Sequence, residues 1–287
     1  MSAAVEKVLR PLWQPVAARA ARAYIAGPEL SDGVRVCREL WQRDLASTLG
    51  FWDGAGESPR QVIDVYLASL EAMASLGVAA DQSFDCYLSV KPDAFGFDAA
   101  LLGEVVERAH ATGHRVHFDS LGPTGAERTF ALIAGAAARH DDFGCTLPGV
   151  WRRSVADADR AVEMGLSVRV VKGQWPDLEG PPIDPRAGFL AVVDRLGGRA
   201  RHVGVATHDL ELGRESLRRL RERGTPCSLE LLTGLPSRQA LAEARSQGTP
   251  VRFYVAYGNA WLPYALSQAA HKPRILWWIV RDTLLRK

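Results

Sequence analysis

Ser167-Val168-Arg169-Val170-Val171-Lys172-Gly173 reads as a β-strand with a charge set into it. Its β-branched residues suit a pleated, half-buried surface, and the glycine punctuates its end. Arg169 stands where a charge without a partner is costly, so this sequence marks it as functional. Runs of the same kind recur on either side: Leu45 to Phe51, Ser83 to Val90, Arg115 to Asp119, Gly144 to Leu147, His202 to Thr207, Cys227 to Leu232 and Val251 to Tyr257. Between them lie segments of helical spacing such as Arg60 to Leu76, Asp98 to Thr112 and Gly125 to Ala138. Strands alternating with helices predict a parallel sheet with right-handed crossovers, and eight such units predict an α/β fold of the (β/α)8 TIM-barrel type. An open doubly wound sheet is the competing architecture. It calls for a G-x-G-x-x-G turn after the first strand, and Gly54-Ala55-Gly56-Glu57-Ser58 lacks the third glycine. Residues 1–44 are expected to form an N-terminal helical extension, with Val5, Val8, Leu9 and Leu12 on one face, and residues 45–287 the barrel.

The wider composition agrees with one large globular unit: 287 residues, 47% hydrophobic and 24% charged, with 26 Gly. The longest apolar run, Ile275 to Val280, is six residues, too short to span a bilayer. Arg10, Arg19 and Arg22 interrupt the first 25 residues, unlike a secretory signal, so a cytoplasmic location is expected. The 35 Lys+Arg against 33 Asp+Glu give a net charge of +2, which does not point to nucleic acid as a partner. Cys37, Cys86, Cys145 and Cys227 lie roughly 50 to 80 residues apart, without the spacing of a zinc or redox site, and are expected to pack as free thiols; no metal is implied. The segment Lys272 to Lys287 has the pattern of an amphipathic helix, expected to pack on the barrel, with a membrane surface as the lesser use.

In a closed barrel the active site forms at the C-terminal ends of the strands. Those ends are rich in polar groups here: Ser89-Val90-Lys91, His117-Phe118-Asp119, Arg169 through Lys172-Gly173, and Thr207-His208-Asp209. Lysine and arginine converging on one rim would neutralise an anion, as a phosphate-bearing cofactor requires. Lys91 is also a possible Schiff-base amine for a lyase or aldolase, although that role leaves Arg169, Lys172 and the Thr-His-Asp run unexplained.

These strand ends, in order, resemble the proline dehydrogenases, flavin-dependent barrels that oxidise proline. The carriers are Gly56-Glu57-Ser58, Tyr87-Leu-Ser-Val-Lys91, Val116-His-Phe-Asp119, Val168-Arg-Val-Val-Lys-Gly173, Val205-Ala-Thr-His-Asp209, Leu229-Glu-Leu-Leu-Thr-Gly234, and Val251 to Gly258 leading to Trp261-Leu-Pro-Tyr264. The resemblance implies a distorted barrel that holds FAD through Arg169, Lys172, Gly173, Trp175, Thr207 and His208. It implies catalytic-side positions for Lys91 and Asp119, and a substrate side that includes Thr233, Tyr257, Tyr264, Ser267 and Gln268. An arginine beside the isoalloxazine would stabilise the charge that accumulates on reduction.

The departures are concentrated on the substrate side. Where the family carries two adjacent arginines that grip the proline carboxylate, this chain has Ser267 and Gln268, which cannot make the same charge-assisted pair. Thr233 replaces a tyrosine and Pro148 a glutamine. Arg152 and Arg153 are the nearby cations that could rebuild an anion site. The expectation is therefore a FAD-dependent amine or imino-acid dehydrogenase acting on proline or, in better accord with these residues, on an amine that lacks a carboxylate or presents it differently. Its electrons would pass to a quinone, oxygen or a redox protein, and its role would lie in proline metabolism or biosynthesis. The alternative is a flavin-free barrel that serves as a binding or scaffold protein.

Overall fold

Loops after several strands carry residues that start the next helix. Ser58 caps one helix through a reciprocal pair with Gln61, while Asp98, Asp184 and Asp209 accept from backbone N–H groups of the helices that follow them. In a computed structural model, which describes residues 25–54, 56–76, 85–175, 177 and 179–258, these units close into a barrel of eight parallel strands in sequential order. The strands are β1 (Ala46–Trp52), β2 (Cys86–Val90), β3 (Val116–Phe118), β4 (Phe143–Pro148), β5 (Ser167–Val171), β6 (His202–Ala206), β7 (Cys227–Leu232) and β8 (Val251–Gly258). The (β/α)8 barrel is the fold expected from the sequence. Of the expected second strand, Ser83 to Val90, the ladder runs over Cys86–Val90, and residues 77–84 lie outside the described set.

The described helices are α1 (Leu30–Trp41), α2 (Pro59–Ser75), α3 (Ala99–Thr112), α4 (Ala126–Ala136), α5 (Ser154–Glu163), α6 (Pro185–Leu196), α7 (Leu210–Glu222) and α8 (Arg238–Ser246). The layer between strands and helices is apolar: Leu49, Leu88, Val90, Val170, Val203, Val205 and Val255 are fully buried against residues such as Ile63, Val105 and Phe189. Helix α1 lies outside the seam where β8 pairs with β1, from Ala46↔Arg252 to Trp52↔Gly258. Gly33 makes this contact possible, because a Cβ there would fall 2.8 Å from Leu49 Cδ1 and 3.1 Å from the Tyr257 ring. All four cysteines are free thiols.

The inside of the barrel is of the opposite character. Barrels of this kind are usually filled by layers of branched apolar side chains. Here the inward positions carry Thr48, Tyr87, His117, Thr146, Arg169, Glu230, Arg252 and Tyr254. Three glycines give these groups room: a Cβ on Gly50 would overlap the Tyr254 hydroxyl, one on Gly144 the His117 ring, and one on Gly204 the Glu230 carboxylate.

Candidate active site at the C-terminal end of the barrel

Arg169 is 5% exposed and organises the interior. Its Nε donates to Glu230 Oε2 at 2.8 Å, Nη1 to Asp119 Oδ1 at 2.7 Å, and Nη2 to the Tyr87 hydroxyl at 2.9 Å. Longer contacts of 3.5 Å reach Thr146 Oγ1 from Nη1 and Thr48 Oγ1 from Nη2. Burial works against its charge, but Tyr87, Glu230 and Asp119 hold it protonated well above the ordinary arginine range. Burial would raise the Glu230 carboxyl, yet Arg169 and Arg252 carry it below the usual range, so it stays ionised. The Tyr254 hydroxyl donates to Asp119 Oδ2 at 2.8 Å; burial first, and the Asp119 charge second, push its own ionisation far up. Asp119 thus receives one donor on each oxygen at the C-terminal end of β3.

Below this cluster, Tyr87 donates to Glu230 Oε1 at 3.1 Å and stacks on His117 at a centroid distance of 5.2 Å. The Arg252 guanidinium sits 4.3 Å from the centre of the Tyr87 ring and donates to the Ser47 carbonyl and to Asp85. His117 Nε2 bonds Thr146 Oγ1 at 2.9 Å. Burial, and then the neighbouring Arg169, Arg115 and Arg252, hold the His117 imidazole neutral well below its usual pKa.

Lys91 leaves the end of β2 toward β1. Its Nζ donates to the Phe51 carbonyl and lies 3.5 Å from Asp53 Oδ1. Burial lowers its pKa, with Asp53 and Asp119 opposing.

The rim at β5 and β6 is more open. Lys172 Nζ pairs with Asp209 Oδ2 at 2.9 Å with their side chains 40% and 33% exposed, and Arg186 approaches the same oxygen at 3.5 Å while reaching toward Glu211 at 3.9 Å. Gly173 follows with φ +95°, where a Cβ would also strike Val150 and Pro148. Thr207 is buried and its Oγ1 accepts from the Asp209 N–H. His208 has both ring nitrogens engaged: Nε2 accepts from Leu232 N at 2.9 Å, so Nδ1 donates to the Pro236 carbonyl at 3.1 Å. Burial lowers its pKa. Trp175 is 46% exposed, and its carbonyl accepts from Trp151 Nε1.

Exposed ion pairs contribute little to stability and exchange partners readily. Lys172 can therefore turn to a phosphate, and with Gly173 and Thr207 it gives this rim donor chemistry that fits a phosphate-bearing cofactor.

The structure brings Asp119 and Arg169 into contact and sets Lys91, Lys172, Gly173 and Thr207 at the same end of the barrel. It does not bring Tyr257 there. That residue has the wrong strand parity: its hydroxyl bonds Ser69 on α2 at 2.7 Å, and its ring packs on Phe51 in the outer layer. Tyr254, three residues earlier, faces inward instead. Thr233 closes the β7 turn by donating from Oγ1 to the Tyr254 carbonyl at 3.1 Å. Trp261, Tyr264, Ser267, Gln268 and the segment 272–287 lie outside the described residues, as do residues 1–24. Arg152 and Arg153 bond to groups of the chain itself. Arg152 is spent on the Glu179 and Pro181 carbonyls, and Arg153 on Asp157 and Glu127. Sequence reading quoted Tyr87, Glu230 and Arg252 within its motifs but assigned them no role, although the two charged residues carry the signal that marked Arg169, a lone charge in an apolar strand.

A closed eight-stranded barrel with a charged interior and a cation-bearing C-terminal rim defines the class. No family model matches the chain. Over 267 residues it is 19% identical to proline dehydrogenase 2 of Bacillus subtilis strain 168, covering 88% of this chain and 87% of that one. Among solved structures, proline utilization A (PutA) from Bdellovibrio bacteriovorus, inactivated by N-propargylglycine, matches with a TM-score of 0.77 at 15% identity, over 88% of this chain and 32% of that one. PutA of Bradyrhizobium japonicum matches with a TM-score of 0.64 at 18% identity, over 78% of this chain and 28% of that one. The chain spans about a third of the length of the PutA chains. Along most of its length the chain is distantly similar to a proline dehydrogenase, and it shares the fold of the PutA barrels. Among the described residues, no helix is long and apolar enough to cross a membrane.

Proposed function

We propose that the protein is a FAD-dependent oxidoreductase that oxidises the carbon next to an amine nitrogen. The observation that carries this reading is the match to proline dehydrogenase 2 along 88% of the chain, and Asp119, Arg169, Lys172 and Thr207 sit at the strand ends where a barrel of this type works. FAD, when bound, supplies the hydride acceptor. Lys172, Gly173 and Thr207 would hold it at the β5–β6 rim, with Trp175 and His208 in the adjoining loops. Asp119, aligned by Arg169 and Tyr254, orients the amine, which binds as its ammonium ion and gives up a proton to solvent before its neighbouring carbon gives up hydride. Lys91, held by Phe51 and Asp53, orders the β1–β2 edge.

The purified protein is expected to show flavin absorbance or to acquire it on reconstitution with FAD. That flavin should bleach anaerobically with a member of a panel of cyclic and acyclic amines that includes proline. A folded protein that takes up no FAD removes the reading. The second reading, a flavin-free barrel acting as a binding or scaffold protein, draws on Arg169, whose donors are all taken by the chain itself.

A further inference from the structure

The hydrogen-bonding capacity inside the barrel divides into what is spent and what is left. A guanidinium has five N–H donors and no acceptor. Arg169 directs its donors at Glu230, Asp119, Thr146, Tyr87 and Thr48. Arg252 is committed to the Ser47 carbonyl and Asp85, and Lys91 to the Phe51 carbonyl and Asp53. Each of these interior cations therefore faces groups of the chain itself. Asp119 is the reverse case. A carboxylate offers about four lone-pair positions, and Asp119 receives Arg169 on Oδ1 and Tyr254 on Oδ2. Its side chain is 14% exposed at the C-terminal end of β3, so part of its acceptor capacity remains open to a ligand.

Glu230 produces this imbalance. Arg169 bonded to Asp119 alone would be a neutral pair; Glu230 adds a second carboxylate, and since the nearby Arg252 is paired with Asp85, the five groups together carry one net negative charge. The second carboxylate has a built seat, since Gly204 on the adjacent strand leaves open the space it fills. Glu230 is 6% exposed, and the Tyr87 hydroxyl bridges it to Arg169.

We propose that the site takes an ammonium-bearing substrate without a carboxylate, and that Glu230 sets this preference by sequestering Arg169. The proposal rests on the amine-oxidising reading above. Glu230 is a positioning residue that acts through Arg169 and leaves Asp119, among the described groups inside the barrel, as an acceptor for a ligand, which favours cationic donors and disfavours anions.

Calorimetric binding to the FAD-reconstituted protein tests this with pyrrolidine (ammonium alone), cyclopentanecarboxylate (carboxylate alone) and proline (both). The wild type is expected to bind pyrrolidine at least about tenfold more tightly than either carboxylate-bearing probe. Glu230→Gln should lower that ratio by about tenfold, while the charge-preserving Glu230→Asp stays within about threefold of wild type. Wild-type protein that binds cyclopentanecarboxylate as tightly as pyrrolidine overturns the proposal, as does a Glu230→Gln protein with an unchanged ratio. Should Glu230→Gln fail to fold, Tyr87→Phe takes its place. Loss of the bridging hydroxyl frees an Arg169 donor and is expected to lower the ratio, and an unchanged ratio there overturns the assignment to Glu230. If none of the three probes binds, the amine-oxidising reading itself falls; selectivity that ignores Glu230 removes only this proposal.

Discussion

Arg169 and Lys172 stand three residues apart on one strand and its end, and they belong to different regions of the molecule. Arg169 lies inside the barrel at 5% exposure, bonded on every side. Lys172 lies on the rim at 40% exposure, paired with one half-exposed carboxylate. Inside, a cation must be compensated by the protein because water is excluded; at the rim, water does that work and the cation stays available to a ligand. The same residue chemistry is thus structural at one depth and recruitable a few ångströms higher.

The largest test of this contrast is Arg169→Met. Removal of the cation leaves Asp119 and Glu230 buried without their partner, and a loss of about 3–5 kcal/mol is expected, read from the midpoint of urea unfolding. A destabilisation no greater than that of a surface substitution would mean the interior is wetter than the contacts imply.

The acid limb of stability comes next. His117 stays neutral in the folded protein to well below its ordinary pKa, whereas the unfolded chain takes up a proton near pH 6.5. The unfolded state binds the extra proton, so stability falls as pH drops below that value, by up to about 1.4 kcal/mol per pH unit from this residue until the folded imidazole itself titrates. Comparison of His117→Gln with wild type between pH 7 and 5 should show a shallower slope in the variant, and equal slopes would count against a buried neutral imidazole.

Tyr257→Phe probes the outer layer. Loss of the bond to Ser69 should cost about 1 kcal/mol in thermal or urea unfolding and leave FAD and amine binding unchanged. A selective loss of ligand affinity would return Tyr257 to the site.

Lys172→Ala has the smallest effect on stability, within about 0.5 kcal/mol. It should weaken FAD binding by about tenfold, as expected for a lost charge-assisted phosphate contact, measured by flavin fluorescence titration. Unaltered affinity would remove Lys172 from the cofactor rim.

Much of this contrast was legible in the sequence. The alternation of β-rich runs with helical segments fixes eight strands, because period 2 and period 3.6 patterns separate cleanly in segments such as Ser167–Val171 and Ala99–Thr112. The single charge in Ser-Val-Arg-Val-Val flagged Arg169, and by the same rule Glu230 in Ser228-Leu-Glu-Leu-Leu232 and Arg252 in Val251-Arg-Phe253 were legible too. Tyr254 and Tyr257 show where such reading stops. Strand β8 carries an aromatic on each face, so hydrophobicity along it does not reveal which face turns inward. The register with β1, which sets Tyr254 opposite Thr48 and over Gly50, decides that.

The sequence by itself therefore determined the architecture, the end of the barrel at which charged groups gather, and the family likeness, because these depend on local periodicity and on the order of short motifs. Only the tertiary structure decided which charges are spent. Arg169 meets Asp119 across 50 residues of chain and Glu230 across 61, and no local pattern records that two distant carboxylates close on one guanidinium. Their closure follows from strand register and from glycines that open space for the neighbouring side chain, which are properties of the closed sheet rather than of any segment within it.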